Sequence, residues 1–445
     1  MGVSGMVNVL ILGVSFLLIF TAFSTCGNLA QTVTNSVTNS TFTGSGYYSL
    51  AVIYGVFSVS QLMAPPWVAL LGPRISLILS GAFYSGYAAA LTTPRNWSFY
   101  PTSVLLGVAA GVLWTAQGLF LTANSSSHNI HKNTGIFWAL LQCSSVFGNL
   151  YVYLALDGKS SISDKDRRTL LGTLSIISLV GTALLVFLQK PESQEEPINE
   201  GEDLLLEAEV ISKETVASSF KEASTELGVL WRLLCSKSTA LLCISMIYTG
   251  LELAFYSGVY GTSIGATQAF GSSAKALIGL SGMLISFGEI AGGGIFGFLC
   301  KNSHFRRMSV LLLGLVVHLV AFSLIFLNLP GDAPVVGKDG TWTSPAFNPS
   351  VGIALACSLL LGFGDGCFNT QLYSLLSALY RDNSPSVFVL FRFIQSLSAA
   401  VALLYSGSLL LPWQLFIMTL ACFLGTLALF HVEKTELFLI GFWDI

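Results

Sequence analysis

The chain has 445 residues, 53% of them hydrophobic and only 10% charged, with a formal net charge of −3 and a mean hydropathy of +0.73. Soluble domains carry about 25% charged residues, so a soluble globular fold is excluded. The slightly acidic balance gives no basic field for nucleic acid, which is excluded as a partner. What remains is a polytopic helical protein with the lipid bilayer as its solvent, each span needing roughly 20 apolar residues.

Taken in chain order, the first apolar run follows an N-terminus with no Lys or Arg between Met1 and Thr25. It lacks the positive start of a signal peptide and reads as the first span. The hydropathy pattern predicts spans at 6–26, 47–70, 75–93, 99–122, 135–156, 169–189, 239–260, 275–299, 308–328, 351–379, 386–407 and 412–432. The expected fold class is an all-α membrane protein, twelve transmembrane helices in two pseudo-symmetric six-helix bundles. The expected divisions are 1–189 and 239–445, separated by a linker at 190–238 with eleven acids and five bases.

The first part of that linker, rich in Glu from Glu192 to Asp203, reads as disordered. The second part places Phe220, Leu227, Leu230, Trp231 and Leu234 on one helical face, suited to lie against the membrane or under the bundles. Between them, Glu200-Gly-Glu-Asp-Leu204-Leu205 fits an acidic dileucine sorting signal, with an ordinary transition into a helix as the plain alternative.

The halves echo each other. Gly111-Val-Leu-Trp114-Thr-Ala-Gln117-Gly118 in the fourth span resembles Gly364-Asp365-Gly-Cys-Phe-Asn369-Thr-Gln371 in the tenth. The turns after the second and eighth spans both carry base, Gly72-Pro-Arg74 and Lys301 to Arg307. Parallel six-helix repeats of this kind describe the major facilitator architecture.

With the N-terminus inside, inside segments hold twelve Lys/Arg and outside segments seven, but without the linker the count is seven against seven. The loop Asp157–Arg168 even sets four bases beside three Asp on the outside. The glycosylation sequons at Asn39 and Asn96 favour this orientation, which leaves Asn124-Ser-Ser126 inside as a chance match. Both termini are then cytosolic, in the plasma membrane or an endolysosomal membrane.

Several stretches resemble the UNC-93-like branch of the major facilitator superfamily. They are Phe23-Ser-Thr-Cys-Gly-Asn28-Leu-Ala-Gln31-Thr32, Trp114-Thr-Ala-Gln-Gly118, Gly135-Ile-Phe-Trp-Ala-Leu-Leu-Gln142, Tyr248-Thr-Gly-Leu-Glu252-Leu253, Ser257-Gly-Val-Tyr-Gly261 and Cys367-Phe-Asn-Thr-Gln371. The resemblance runs over nearly the whole chain. It implies twelve spans with cytosolic termini and names no substrate, since members of the branch have been assigned as ion-channel regulators or trafficking chaperones. The chain departs from the superfamily's turn signature, keeping only Gly72 and Arg74 in the first half and carrying Cys300 where an acid is usual in the second.

Ionisable groups inside spans are costly and mark function or pairing. The second half holds Glu252, Glu289, Asp365, Arg392 and His318. Glu252, one turn from Tyr248 and Tyr256, and Asp365, one turn before Asn369, are expected in a cavity. Glu289 and Arg392 are expected to pair, or Arg392 to snorkel. His318 reads as a packing residue or helix–helix donor. The first half carries amides instead: Asn28, Gln31, Gln61, Gln117, Gln142 and Asn149. In this architecture the first, fourth, seventh and tenth spans line the cavity. The expected lining is therefore Asn28, Gln31, Trp114, Gln117, Tyr248, Glu252, Tyr256, Asp365 and Asn369, the plain alternative being interhelical glue.

Other chemistry is set aside. Gly362-Phe-Gly-Asp365 matches one motif of intramembrane aspartyl proteases, but no second intraspan Asp supplies the dyad. The glycines Gly288 to Gly297 lack the strand and Gly-Lys-Ser/Thr of a phosphate loop and read as small-xxx-small packing. His128 and His131 lack a further ligand set, and the eight cysteines form no framework. No cofactor, metal or catalytic residue is expected. Two functions fit: a carrier of a small polar solute, proton-linked through the acids, or a non-transporting regulator or trafficking partner of another membrane protein.

Overall fold

The computed structural model describes residues 3–38, 41–126, 128–189, 218, 221, 224–299, 304–336, 341–380 and 384–437. Twelve of its helices are long and apolar enough to cross a membrane. They are α1 Val3–Asn35, α2 Gly46–Leu71, α3 Pro73–Thr92, α4 Asn96–Ala123, α5 Ile130–Leu156 and α6 Asp164–Leu184 in the first half. The second half has α7 Lys237–Ala266, α8 Ala276–Leu299, α9 His304–Asn328, α10 Val351–Leu379, α11 Ser384–Ser406 and α12 Leu411–Val432. Val3 and Val432 lie on one side, called here the terminal face; the loops after α1, α3 and α5 lie on the far face.

Two helices outrun their predicted ends. α1 continues from position 26 to Asn35 although its last turns are polar. Those polar groups have partners. Gln31 Oε1 accepts from Ser45 Oγ and from the Tyr47 backbone N–H, both at 3.0 Å, and Thr34 Oγ1 accepts from the Gly46 N–H at 3.1 Å. Side chains of α1 thus satisfy the orphan donors that open α2, where Ser45 makes no cap of its own. α7 runs past 260 to Ala266 and loosens into a π-helical turn at Phe255–Val259.

Elsewhere the ends follow local chemistry. Ser163 caps α6 by accepting from Asp166 N at 3.1 Å, and Ser236 caps α7 by accepting from Thr239 N at 3.2 Å. Gly72, at φ 78°, closes α2 and lets Pro73 open α3 within one residue. Arg74 of that turn donates to the Val186 carbonyl beyond α6.

Packing repeats with a shift of six helices. In the first half α2 packs on α4, α1 on α5 and α6, and α3 on α4 and α6. In the second half α8 packs on α10, α7 on α11 and α12, and α9 on α10 and α12. The seams between halves obey the same exchange: α2 lies on α11, and α8 on α5. No comparable seam joins α4 to α10. This is the twelve-span fold in two pseudo-symmetric bundles.

The tightest seam, α8 on α10, is made by glycine. A Cβ at Gly362 would enter the backbone of Ile285, one at Gly288 that of Leu359, and one at Gly292 that of Phe363. Hydrocarbon supplies no hydrophobic drive between helices, so such close backbone contact is what holds them together. Gly362 therefore serves packing, which accounts for half of the protease-like motif.

Of the predicted amphipathic segment, residues 224–234 are helical. Leu230 and Leu233 are buried, Leu227, Trp231 and Leu234 are exposed, and Glu226 accepts from Ser386 Oγ at 2.8 Å on α11. Leu230 therefore leaves the predicted stripe to dock the helix. Phe220 and the dileucine residues Glu200, Leu204 and Leu205 lie outside the described residues, as does Asn39.

Candidate functional site

A cavity of about 190 Å³ lies between the two bundles. α1 lines it with Asn28, α2 with Tyr54, α5 with Asn149, α7 with Tyr256 and Ser257, and α8 with Glu289. Tyr256 and Ser257 sit on the π-helical turn of α7. Such turns re-aim side chains and recur at functional sites.

The wall is stitched across the bundles. Asn28 Nδ2 donates to Asn149 Oδ1 at 3.1 Å, and Asn149 fits against α8 where Gly282 has no side chain. Tyr54 of the first half and Ser257 of the second line the same wall. The Glu289 carboxyl is reached by Tyr256 from its own half and by Gln142 from the other. A carboxyl group at this depth faces a polar pocket rather than lipid, as its cost in hydrocarbon requires.

Behind this wall, inside the second bundle, lies a second polar cluster. Glu252, His318 and Tyr248 are fully buried. Tyr248 Oη lies 2.6 Å from His318 Nδ1, and Glu252 Oε1 lies 2.6 Å from Nε2. The Nε2 position also meets the Leu361 carbonyl at 3.2 Å, and neither Glu252 oxygen gains an aligned hydrogen bond. Phe322 and Phe368 both stack against the imidazole, with centroids 5.6 and 5.5 Å away. Gly364 leaves the space the ring occupies, since a Cβ there would strike it. That accounts for the second glycine of the protease-like motif. Asp365, next along α10, accepts from Asn369 Nδ2 at 2.8 Å and lies within electrostatic reach of Glu252, Glu289 and His318.

The expected lining residues thus separate. Asn28 and Tyr256 face the cavity. Gln31 serves the α1–α2 junction on the far side. Trp114 joins an aromatic group, stacked on Trp138 at 5.8 Å and tilted against Phe20 at 5.3 Å. Gln117 is buried and does not line the cavity. Tyr248 and Glu252 belong to the histidine cluster, and Asp365 with Asn369 lies beside it. Glu289 and Arg392 do not pair: Arg392 donates to Gln395 Oε1 at 3.0 Å and sits over the Tyr373 ring at 5.6 Å. The two arginine and glutamate helices, α11 and α8, share no seam that would bring them together. Glu289, Tyr54 and Asn149 line the cavity without having been assigned there from sequence, and Gln142 approaches Glu289 from beside it. The spacing of seven between Gln142 and Asn149, two turns on one face of α5, was the available signal.

Toward the far face, further contacts join the halves. Tyr47 Oη donates to the Pro334 carbonyl and Asn35 Nδ2 to that of Val336, both at 3.1 Å. Asn96, the sequon of the far-face pair that is described, starts α4. Its Nδ2 donates to the Thr41 carbonyl at 2.9 Å and its Oδ1 accepts from Thr43 N at 3.1 Å.

Comparison with known proteins places this geometry. Among solved structures, the fold matches a peptide transporter POT crystallised with sulfate at a TM-score of 0.66 and 12% identity, covering 96% of this chain and 94% of that one. It also matches tetrameric PepTSo2 at a TM-score of 0.62 and 14% identity, over 98% and 99% of the two chains. At such identity these show the fold alone. In sequence, the chain is 51% identical to UNC93-like protein MFSD11 of Xenopus laevis over 428 residues, 96% of each chain. It is 27% identical to UNC93-like protein 3 of Arabidopsis thaliana over 92% of this chain and 82% of that one. The sequence profile described as "Ion channel regulatory protein UNC-93" matches residues 38–430, and the chain belongs to that UNC-93 family.

Proposed function

We propose that this protein is a solute carrier whose binding chamber is the cavity between the bundles. The observation that carries the reading is Glu289: an ionisable group in that chamber, with Tyr256 beside it from one bundle and Gln142 from the other. Rocking the bundles about the α2–α11 and α5–α8 seams shifts Glu289 of α8 relative to Gln142 of α5, since their contact crosses one of those seams. A proton or cation on Glu289 is thereby tied to the conformation, which is what coupling requires. Contacts such as Tyr47 to Pro334 support assigning this state as closed toward the far face, with opening toward the terminal face between α4 and α10. Neutral amides and hydroxyls around one acid suit a small polar solute. Glu252 and Asp365, behind the wall, act on Glu289 through space and do not touch the solute.

The rival is a non-transporting regulator of another membrane protein. It is favoured by the family's description and by Glu252 being held against His318, which gives the second bundle a rigid core. Both readings place the termini in the cytosol, in keeping with a far-face Asn96, and in the plasma membrane or an endolysosomal membrane.

The test is flux in proteoliposomes under an imposed proton gradient, screening small polar solutes with wild type beside Glu289→Gln. The carrier reading expects gradient-driven uptake by wild type and none by the variant, at equal reconstitution. Flat uptake across the screen, with a membrane protein copurifying stoichiometrically, would establish the regulator instead.

A further inference from the structure

The four bases in the loop before α6 gave no function from sequence. Folding brings two of them to a third arginine. Arg167 and Arg168 at the start of α6 and Arg95 at the start of α4 line one pocket of about 210 Å³ on the far face. Thr38, Thr93 and Asp164 complete its polar wall.

Its charge is unbalanced. Asp164 is held by Thr38 Oγ1 at 2.8 Å and lies 2.7 Å from Arg167 Nη1, so one acid offsets one base. Arg167 is only 4% exposed, yet that Nη1 has no aligned hydrogen bond. Arg95 and Arg168 are exposed and form no ion pair among the described residues. Asp166 does not help, because Lys159 takes it at 2.6 Å. The N-terminus of α4 adds to the field: Arg95 gives it no side-chain cap, and its first turn contains no acid. The positive end of a 28-residue helix therefore opens beside two unpaired guanidinium groups.

We propose that this pocket is a binding site for a phosphate group, separate from the transport chamber. Guanidinium forks match phosphate oxygens two at a time, and free helix N–H groups complete such sites. Trp97, two residues from Arg95 and 73% exposed, marks the depth. Exposed tryptophan at the end of a span sits at headgroup level, so a phospholipid headgroup is the source the position favours over free phosphate.

The test uses the full-length protein in detergent. Melting midpoints are read with inorganic phosphate against chloride at equal ionic strength, and with added phosphatidylglycerol against phosphatidylcholine. Retained lipid is counted by native mass spectrometry. The variant is Arg95→Ala with Arg168→Ala; the charge-matched control is Lys132→Ala with Lys237→Ala, remote from the pocket. Wild type and control should be stabilised by a phosphate-bearing ligand, and the variant's apparent affinity should fall roughly tenfold or more. Stabilisation by inorganic phosphate identifies a free-anion site; stabilisation by phosphatidylglycerol alone identifies the headgroup. The proposal is overturned if neither ligand acts on wild type, or if the arginine variant binds as well as the control. Should the variant misfold, hydrogen exchange on wild type decides: ligand must protect residues 93–97 and 164–168, and absence of protection there also overturns the proposal.

Discussion

Glu252 of α7 and His318 of α9 meet at 2.6 Å with no exposure to solvent, although neither lies on a helix next to the other in sequence. The contact, with that of Tyr248, links α7 to α9 across the second bundle. Removing one partner of a buried polar pair leaves the other's polar atoms stranded, at a cost of about 1–3 kcal/mol. His318→Ala should therefore lower the melting midpoint in detergent more than Glu252→Gln, which keeps the side chain's shape and one acceptor oxygen. A double-mutant cycle with His318→Gln and Glu252→Gln should give a coupling on the order of 1–3 kcal/mol. Additive single effects would mean that the pair contributes packing alone.

Gly364 tests the same cluster from α10. A methyl there enters the imidazole of His318, which Phe322 and Phe368 prevent from moving aside. Gly364→Ala should cost at least about 1–3 kcal/mol by overpacking. Gly118→Ala, where nothing lies within 4 Å, should be neutral or stabilise α4 by roughly 0.5–1 kcal/mol. Equal midpoints for the two variants would show that the ring has somewhere to go.

The chamber makes a distinct prediction. Tyr256→Phe and Gln142→Ala each remove one polar neighbour of Glu289, from opposite bundles. A polar contact contributes about 0.5–1.5 kcal/mol, so each change should lower coupled flux by up to roughly tenfold. If Gln142 marks the moving contact, its loss should also slow exchange between the two access states. That shift is read by cysteine accessibility on α4 and α10. A variant that loses flux while access kinetics stay unchanged would leave Gln142 as a static ligand only.

The membrane fold was legible because hydrocarbon imposes it: each span must be long, apolar and closed in its own hydrogen bonds. The repeat was legible as well, in the matched polar patches of α4 and α10. Depth could be read too, since Glu252, Asp365 and His318 all fall near the middle of their helices. Azimuth could not. One residue turns a helix by about 100°, and hydropathy hardly records which side faces a cavity in so apolar a chain. Hence Glu289 reads from sequence as a partner for Arg392 and lies instead in the chamber. Trp114 reads as lining and packs in an aromatic group. The end of α1 was hidden for another reason: Asn28, Gln31 and Thr34 lower hydropathy, yet each finds its partner on a helix distant in sequence or just beyond the loop.

The sequons give a last prediction, bearing on orientation. Asn96 opens α4 with both ends of its amide engaged, Nδ2 with Thr41 and Oδ1 with Thr43. A glycan on Nδ2 has to displace the first contact and push the α1–α2 loop off α4. Modification should therefore fall on Asn39, with Asn96 left bare. Asn39→Gln should abolish the mobility shift produced by endoglycosidase, and Asn96→Gln should leave it intact. Loss of the shift with Asn96→Gln would mean that the loop settles after the sugar is attached. Modification of Asn124, near the opposite end of α4, would place the terminal face outside and reverse the assignment of both termini to the cytosol.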